Sequence, residues 1–200
     1  MKREYINRLF RYVMNTSKTH NIDESHALNH SMDVYYYANK IYKNEYKNIL
    51  HNIVNHTTNN HINQINISSY KKIIDTSAIL HDMCDKKYMN EEDGLNKIKE
   101  YIKNDFTTEE IKIIEEIISK MSYSKVKKNG YPDLKKYQLA YHITREADLL
   151  SGYDVERSII YGMYVKSQSY QESVLETIDL FNTRILKYDE DNLFYTNTSL

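Results

Sequence analysis

Four polar side chains occupy positions where the surrounding pattern is apolar. His30 shares a predicted helix face with apolar residues, His81 and Asp82 end an apolar helix, and Asp148 stands in the stretch Ala147–Leu150. Burying an unpaired carboxylate is costly, so two carboxylates beside two imidazoles indicate a cation that neutralises them. This mixed nitrogen and oxygen set suits Mn²⁺, Fe²⁺, Co²⁺, Ni²⁺ or Zn²⁺ better than Ca²⁺.

Each of these residues also has a purely structural explanation. A histidine on an apolar helix face is often a hydrogen-bonded core residue, and a His-Asp pair at a helix end often caps the helix. Asp148 lies one turn after Arg145 and could pair with it. The metal hypothesis therefore depends on His30, His81, Asp82 and Asp148 being close together in the fold.

The elements that must position these residues are predicted to be helices. Only four glycines and one proline occur among 200 residues, and sheet proteins with many turns need more of both. Asp23 or Ser25 is expected to cap the second helix, and Thr107–Glu110 is a typical start signal for a later one. The predicted helices cover residues 2–14, 25–44, 68–84, 90–104, 107–121, 135–150, 153–167 and 169–187.

Two segments between these helices are predicted as loops. The first is the Asn-rich segment 51–67, where His51, His56 and His61 are interpreted as solvated loop histidines. The second is the Lys-rich segment 122–134, which forms either a solvated loop or a rim that attracts phosphate. The tail after Tyr188 is polar and is expected to be loose.

Length and composition limit the classes of function. The chain is expected to form one domain over residues 1–188 with a flexible tail over 189–200. The net charge of −1 gives no support for nucleic-acid or membrane partners. Cys84 is the single cysteine, which excludes an internal disulfide. With no apparent signal peptide, this predicts a cytoplasmic protein. A homo-oligomer is compatible with the sequence.

Three stretches carry a family resemblance, namely HALNHSMDVYYYA, SAILHDMCDKKY and TREADLLSGYD. In this order they resemble the HD-domain superfamily of metal-dependent phosphohydrolases, over residues 22–165. The resemblance implies an all-α fold, a single compact HD-domain helical bundle. It also implies one divalent metal ion, with Mg²⁺ as an alternative to the transition metals, and its ligands would be His30, His81, Asp82 and Asp148.

The same resemblance suggests further roles beside the ligands. Asp85 stands at the offset where related phosphohydrolases carry an acidic residue that handles the proton of the attacking water, so it is the expected general base or acid. Its alternative is an ion pair with Lys86 or Lys87, which could instead hold substrate phosphates. His26 could bind phosphate, orient His30 or ligate a second metal. Arg145 could pair with Asp148 or face the substrate.

The chain departs from the subgroup that it most resembles at Met121, where a histidine often stands. A thioether cannot replace imidazole for a hard divalent metal, so one ion is expected. The implied substrate is a small phosphorylated molecule, a nucleotide or a similar metabolite. Removal of pyrophosphate, phosphomonoester hydrolysis and cyclic phosphodiester cleavage all stay open. A catalytically silent HD fold that acts as a sensor, and a metal-free helical scaffold, are the competing interpretations.

Overall fold

The computed structural model describes residues 2–58 and 67–197, with only the backbone described at 2 and 52–58. These ranges contain no β-strand, which confirms the all-α prediction, and none of their helices is long and apolar enough to cross a membrane. Short 3₁₀ turns lie at Lys135–Tyr137 and Ile185–Lys187. The α-helices are α1 Lys2–His20, α2 Leu28–Thr58, α3 Ile67–Leu80, α4 Glu91–Ile102, α5 Thr108–Lys120, α6 Tyr123–Asn129, α7 Gln138–Ser151, α8 Val155–Val165 and α9 Tyr170–Thr183.

Helices α2, α3 and α7 pack against one another at the centre of the molecule. Their apolar faces supply much of the core, because residues three and four apart in a helix share one face. Helices α1 and α5 pack on α3, while α8 and α9 pack against each other. The core residues of the three central helices include Val34, Ala38, Ile41, Ile73, Ile74, Ile79, Ala140, Ile143 and Ala147.

Side-chain caps set the starts of several outer helices. The hydroxyl of Thr107 accepts from the backbone N–H of Glu110, whose carboxylate accepts from the Thr107 N–H in return. This capping box confirms the start signal predicted for α5. Ser169 and Glu172 form the same arrangement at α9.

The second helix differs from its prediction at both ends. It begins at Leu28, so neither Asp23 nor Ser25 caps it, and Asp23 instead accepts from the N–H of Ser25 at 2.9 Å in a preceding turn. It continues to Thr58, so the loop predicted from residue 51 is wrong for 51–58. Buried Glu45 and Ile49 explain the extension, since tertiary contacts carry helices through weakly patterned sequence.

The three loop histidines have separate outcomes. His51 is exposed on α2, so it lies on a helix and not in the loop that was predicted. The side chain of His56 and all of His61 lie outside the described residues.

Two later segments are more ordered than predicted. The Lys-rich segment 122–134 contains α6, which packs through the buried side chain of Val126. The tail is docked as far as residue 197, in contrast to the loose tail expected. The buried carboxylate of Glu146 accepts from the backbone N–H groups of Tyr195 and Thr196 at 2.8 and 3.0 Å, and Leu193 is buried.

Candidate metal centre

The three central helices bring the predicted ligands to one point. His30 lies in the first turn of α2, His81 and Asp82 follow directly after α3, and Asp148 lies in the last turn of α7. Both histidines are buried, at 2% and 7% exposure. Residues separated by up to 118 positions in the chain therefore meet because their helices pack together.

Four side-chain atoms converge at this point. The Nε2 atoms of His30 and His81 lie 3.0 Å apart. An oxygen of Asp82 lies 3.2 and 3.3 Å from these two nitrogens. An oxygen of Asp148 lies 3.3 and 3.6 Å from them. The Asp82 oxygen is buried and has no hydrogen-bond donor among the described residues.

These separations have the lengths that a small metal ion imposes on its ligands. At metal–ligand distances of about 2.1 Å, ligand atoms lie roughly 3.0 Å apart at right angles and roughly 3.4 Å apart in a tetrahedron. The ligand atoms of His30, His81 and Asp148 all lie within 4.8 Å of one another, and this group could hold a metal ion. Asp82 adds a fourth oxygen beside both imidazoles.

Hydrogen bonds on the far side of each imidazole fix its orientation. His81 Nδ1 lies 3.0 Å from the backbone oxygen of Ala78, which can only accept. His30 Nδ1 lies 3.3 Å from the hydroxyl of Ser151, which donates its own proton to the backbone oxygen of Asp148 at 2.7 Å. Both Nδ1 atoms are therefore donors, so in a neutral ring each Nε2 presents a lone pair to the centre.

Lone pairs and carboxylate charges that face one another require positive charge between them. Burial alone lowers the pKa of His81, but the charges of Asp82 and Asp148 outweigh it and raise that pKa well above its ordinary value. Burial acts to raise the pKa of both carboxyls, and the two histidines reverse this and lower it. A metal ion or extra protons can thus occupy the centre, and the two compete.

The centre opens into a cleft with a volume of about 510 Å³. Six cationic side chains line the cleft. Lys125 pairs with Glu91, and Lys166 pairs with Glu176. The other four form no ion pair with any described residue, and they are Lys86, Lys87, Arg157 and Arg184. Unpaired cations around a cavity favour an anionic ligand.

His26 lines this cleft next to the metal centre, with its ring 6.2 Å from that of His30. Its Nδ1 faces Ser25 and Tyr88, whose hydroxyls lie 2.7 and 3.2 Å away. Its Nε2 lies 3.3 Å from the ammonium nitrogen of Lys87. The ammonium of Lys87 can only donate, so His26 accepts this hydrogen bond. The substrate-binding roles of His26 and Lys87 stay predictions.

Asp85 and Lys86 also line the cleft. The carboxylate of Asp85 accepts from the backbone N–H of Lys87 at 2.8 Å, and it forms no ion pair with Lys86 or Lys87. This turn holds the carboxylate close along the chain to His81 and Asp82, two of the predicted ligands. The catalytic role of Asp85 stays a prediction.

The structure corrects the prediction for Arg145. Arg145 is 1% exposed, and its side chain donates to Glu146 at 3.1 Å and to the backbone oxygen of Leu193, so it faces neither Asp148 nor the cleft. The spacing of three residues is compatible with a pair on one helix face. Here the buried carboxylate of Glu146 and the docked tail outcompete Asp148 for the guanidinium.

Three further side chains of this site were not predicted from the sequence. Ser151 orients His30, and Arg157 and Tyr161 line the cleft from α8. Arg157 donates to the backbone oxygen of Ser25, which ties α8 to the segment before α2. Helical spacing places Arg157 and Tyr161 on one face of α8. No local signal links Ser151 to a histidine 121 positions away.

Comparison with known proteins gives no relative: no family model, curated protein or solved structure matches this chain.

Proposed function

We propose that this protein is a metal-dependent phosphohydrolase of the HD type that cleaves a phosphate ester or anhydride of a nucleotide or a nucleotide-like metabolite. The observation that carries the proposal is the set of four ligand atoms, 3.0 to 3.6 Å apart across each measured pair, at the base of a cleft with unpaired cations. The motif resemblance supplies the reaction type, because a fold alone does not imply a function.

The proposed roles follow from what each side chain can do. His30, His81, Asp82 and Asp148 would hold the ion. When bound, a divalent ion supplies an acidified water and polarises a phosphoryl oxygen. His26 and Lys87, whose side-chain nitrogens lie 3.3 Å apart, would line the phosphate site, with the Lys87 ammonium donating to the phosphate oxygens. Asp85 would accept the proton that the attacking water loses.

A second candidate is a catalytically silent HD fold that binds a metal or nucleotide and acts as a sensor. The feature that favours it is Met121, which is buried and lines the cleft where the resembling subgroup often carries a histidine. The absence of a ligand for a second ion would still allow one metal ion to bind. The presence of all four predicted ligands of that ion, together with Asp85, favours the hydrolase.

Phosphate and pyrophosphate release from a panel of nucleotides with Mn²⁺, Co²⁺ or Mg²⁺ tests the proposal. We expect turnover by the unmodified protein and by Asp179→Ala, which removes an exposed carboxylate of α9. We expect none from Asp82→Ala. Lack of turnover by folded protein that is shown to bind the metal would reject the hydrolase and favour the sensor. The nucleotide preference and the cytoplasmic location stay predictions.

A further inference from the structure

The cleft extends past Asp148 to a second wall formed by Tyr123, Arg184 and Tyr188. The N–H of Gly152 bonds the backbone oxygen of Asp148 at 3.2 Å, and the hydroxyl of Tyr188 lies 3.8 Å from where a Cβ on Gly152 would stand. The rings of Tyr188 and Tyr123 have centroids 5.6 Å apart. This wall therefore adjoins the end of α7 that carries Asp148.

Arg184 is the cation of this wall, at the end of α9. Its guanidinium carbon lies 4.2 Å from the centroid of the Tyr123 ring, so the group is supported by an aromatic side chain. Its Nε is buried and has no acceptor among the described residues, and the side chain forms no ion pair with them. A buried N–H without an acceptor is costly, and a planar guanidinium suits the paired oxygens of a phosphate.

The lining of the same cleft also carries His26 and Lys87, next to His30. Positive groups thus line the cleft in two places, Lys87 with His26 beside His30 and Arg184 in the wall beyond Asp148. A phosphomonoester or a cyclic diester has one phosphorus and could engage only one of these places. A volume of about 510 Å³ is within the range of roughly 300–1,000 Å³ that small-ligand sites occupy.

We propose that Arg184 binds a second phosphate group, so that the substrates are phosphoanhydrides such as nucleoside di- and triphosphates. This inference deepens the proposed function and depends on it for the reaction. The water oxygen forms a bond to the attacked phosphorus, and the bond from that phosphorus to the bridging oxygen breaks. The bridging oxygen leaves with the electron pair as part of the second phosphate, held by Arg184, and the water proton passes to Asp85.

The test compares Arg184→Gln and Arg184→Lys with Arg3→Gln, which removes an exposed arginine of α1 outside the cleft. One readout is kcat/KM for ATP and AMP with Mn²⁺. The other is calorimetric binding of inorganic tripolyphosphate and orthophosphate without metal. We expect Arg184→Gln to lower kcat/KM for ATP and affinity for tripolyphosphate by about ten- to a hundredfold, the effect of losing a charged hydrogen bond.

We expect Arg184→Gln to change orthophosphate affinity less than about twofold, and Arg184→Lys to recover only part of the loss because an ammonium lacks the fork of donors. Equal effects on ATP and AMP, or unchanged tripolyphosphate binding, would overturn the inference. Arg184-dependent tripolyphosphate binding in a protein without turnover would reject the hydrolase and leave the second phosphate site standing. Turnover of nucleotides that is unchanged by Arg184→Gln, together with unchanged tripolyphosphate binding, would support the hydrolase and reject the second phosphate site.

Discussion

At the scale of single residues, Ser151 links two of the proposed ligands. Its hydroxyl donates to the backbone oxygen of Asp148 and so presents a lone pair to His30 Nδ1, 3.3 Å away. Groups that orient a ligating histidine commonly contribute about ten- to a hundredfold to metal affinity. We expect Ser151→Ala to weaken Mn²⁺ binding by that factor in a calorimetric titration.

The matched control is Ser119→Ala, because the hydroxyl of Ser119 only reaches a backbone oxygen of its own helix at 3.5 Å. Its Mn²⁺ affinity should equal that of the unmodified protein. If both variants bind Mn²⁺ normally, Ser151 does not orient His30.

The raised pKa of His81 predicts how metal binding depends on pH. Burial lowers this pKa, but Asp82 and Asp148 outweigh burial and raise it above its ordinary value, so the metal-free ring holds a proton more tightly than a free imidazole does. A metal takes the neutral ring and must displace that proton. Mn²⁺ affinity should therefore fall as pH falls, by about tenfold per pH unit for one displaced proton. Calorimetric Mn²⁺ titrations in buffers with different heats of ionisation would count the protons released on binding. Binding without proton release would contradict the prediction.

The sequence predicted the proposed ligands better than the residues around them. His30, His81, Asp82 and Asp148 are conspicuous because each interrupts an apolar pattern, and the structure brings all four together. Arg145 was placed wrongly because its partner depends on tertiary contacts. A guanidinium can reach several neighbours, and only the folded chain shows that Glu146 and the tail enclose it.

At the scale of elements, α4 packs closely against the turn that carries two of the proposed ligands. A Cβ added to Gly94 would lie 2.7 Å from Cys84 Cβ and 2.8 Å from Cys84 Cα, two residues after Asp82. We expect Gly94→Ala to lower the free energy of unfolding by about 1–3 kcal/mol through overpacking. This would occur although alanine favours a helix by about 1 kcal/mol over glycine. Urea denaturation measures the change.

Asn96→Ala is the control, because Asn96 is exposed on the same helix and the change should be neutral or slightly stabilising. Gly94→Ala should also weaken Mn²⁺ binding, since the turn at 81–84 must shift. A Gly94→Ala protein as stable as the unmodified one would show that α4 can move away without cost.

Helix starts were predicted best where a local cap exists, as at Thr107 and Glu110. The end of α2 was not predicted, because its continuation depends on buried Glu45, which accepts from the backbone N–H of Asn197 at 3.0 Å. That partner is 152 positions away, and an Asn-rich sequence gives no local sign of it. Local capping is thus readable from sequence, whereas helix length set by distant contacts is not.

At the scale of the whole molecule, the C-terminal segment is held by buried carboxylates. Glu146 accepts from Tyr195 and Thr196, and Glu45 accepts from Asn197. Because a buried carboxylate without donors is costly, deleting residues 193–200 should destabilise the protein by about 3 kcal/mol or more. Thermal denaturation of the truncated chain would measure this. An unchanged melting temperature would show that the segment adds nothing to stability.

The same region predicts how stability depends on pH, through His142. Its ring stacks on that of Tyr195 with centroids 4.3 Å apart, and Gln138 lies 3.1 Å from its Nε2. Burial, and then the charge of Arg145, lower the pKa of His142 to about 4. Since this is below the ordinary value of about 6.5, the unfolded chain binds a proton first. The stability contributed by the neutral ring is complete above pH of about 6.5 and is lost as pH falls towards 4.

Urea denaturation at pH 7.5 and 5 measures this loss in the unmodified protein and in His142→Gln. The unmodified protein should lose about 2 kcal/mol more than the variant between these pH values, from a pKa difference of about 2.5 units. Groups that both proteins share, including the metal centre, titrate alike in both, so their contribution cancels in the comparison. The lost stacking on Tyr195 lowers the free energy of unfolding of the variant equally at both pH values. Equal losses would mean that the His142 ring can turn to water and accept its proton without opening the docked tail.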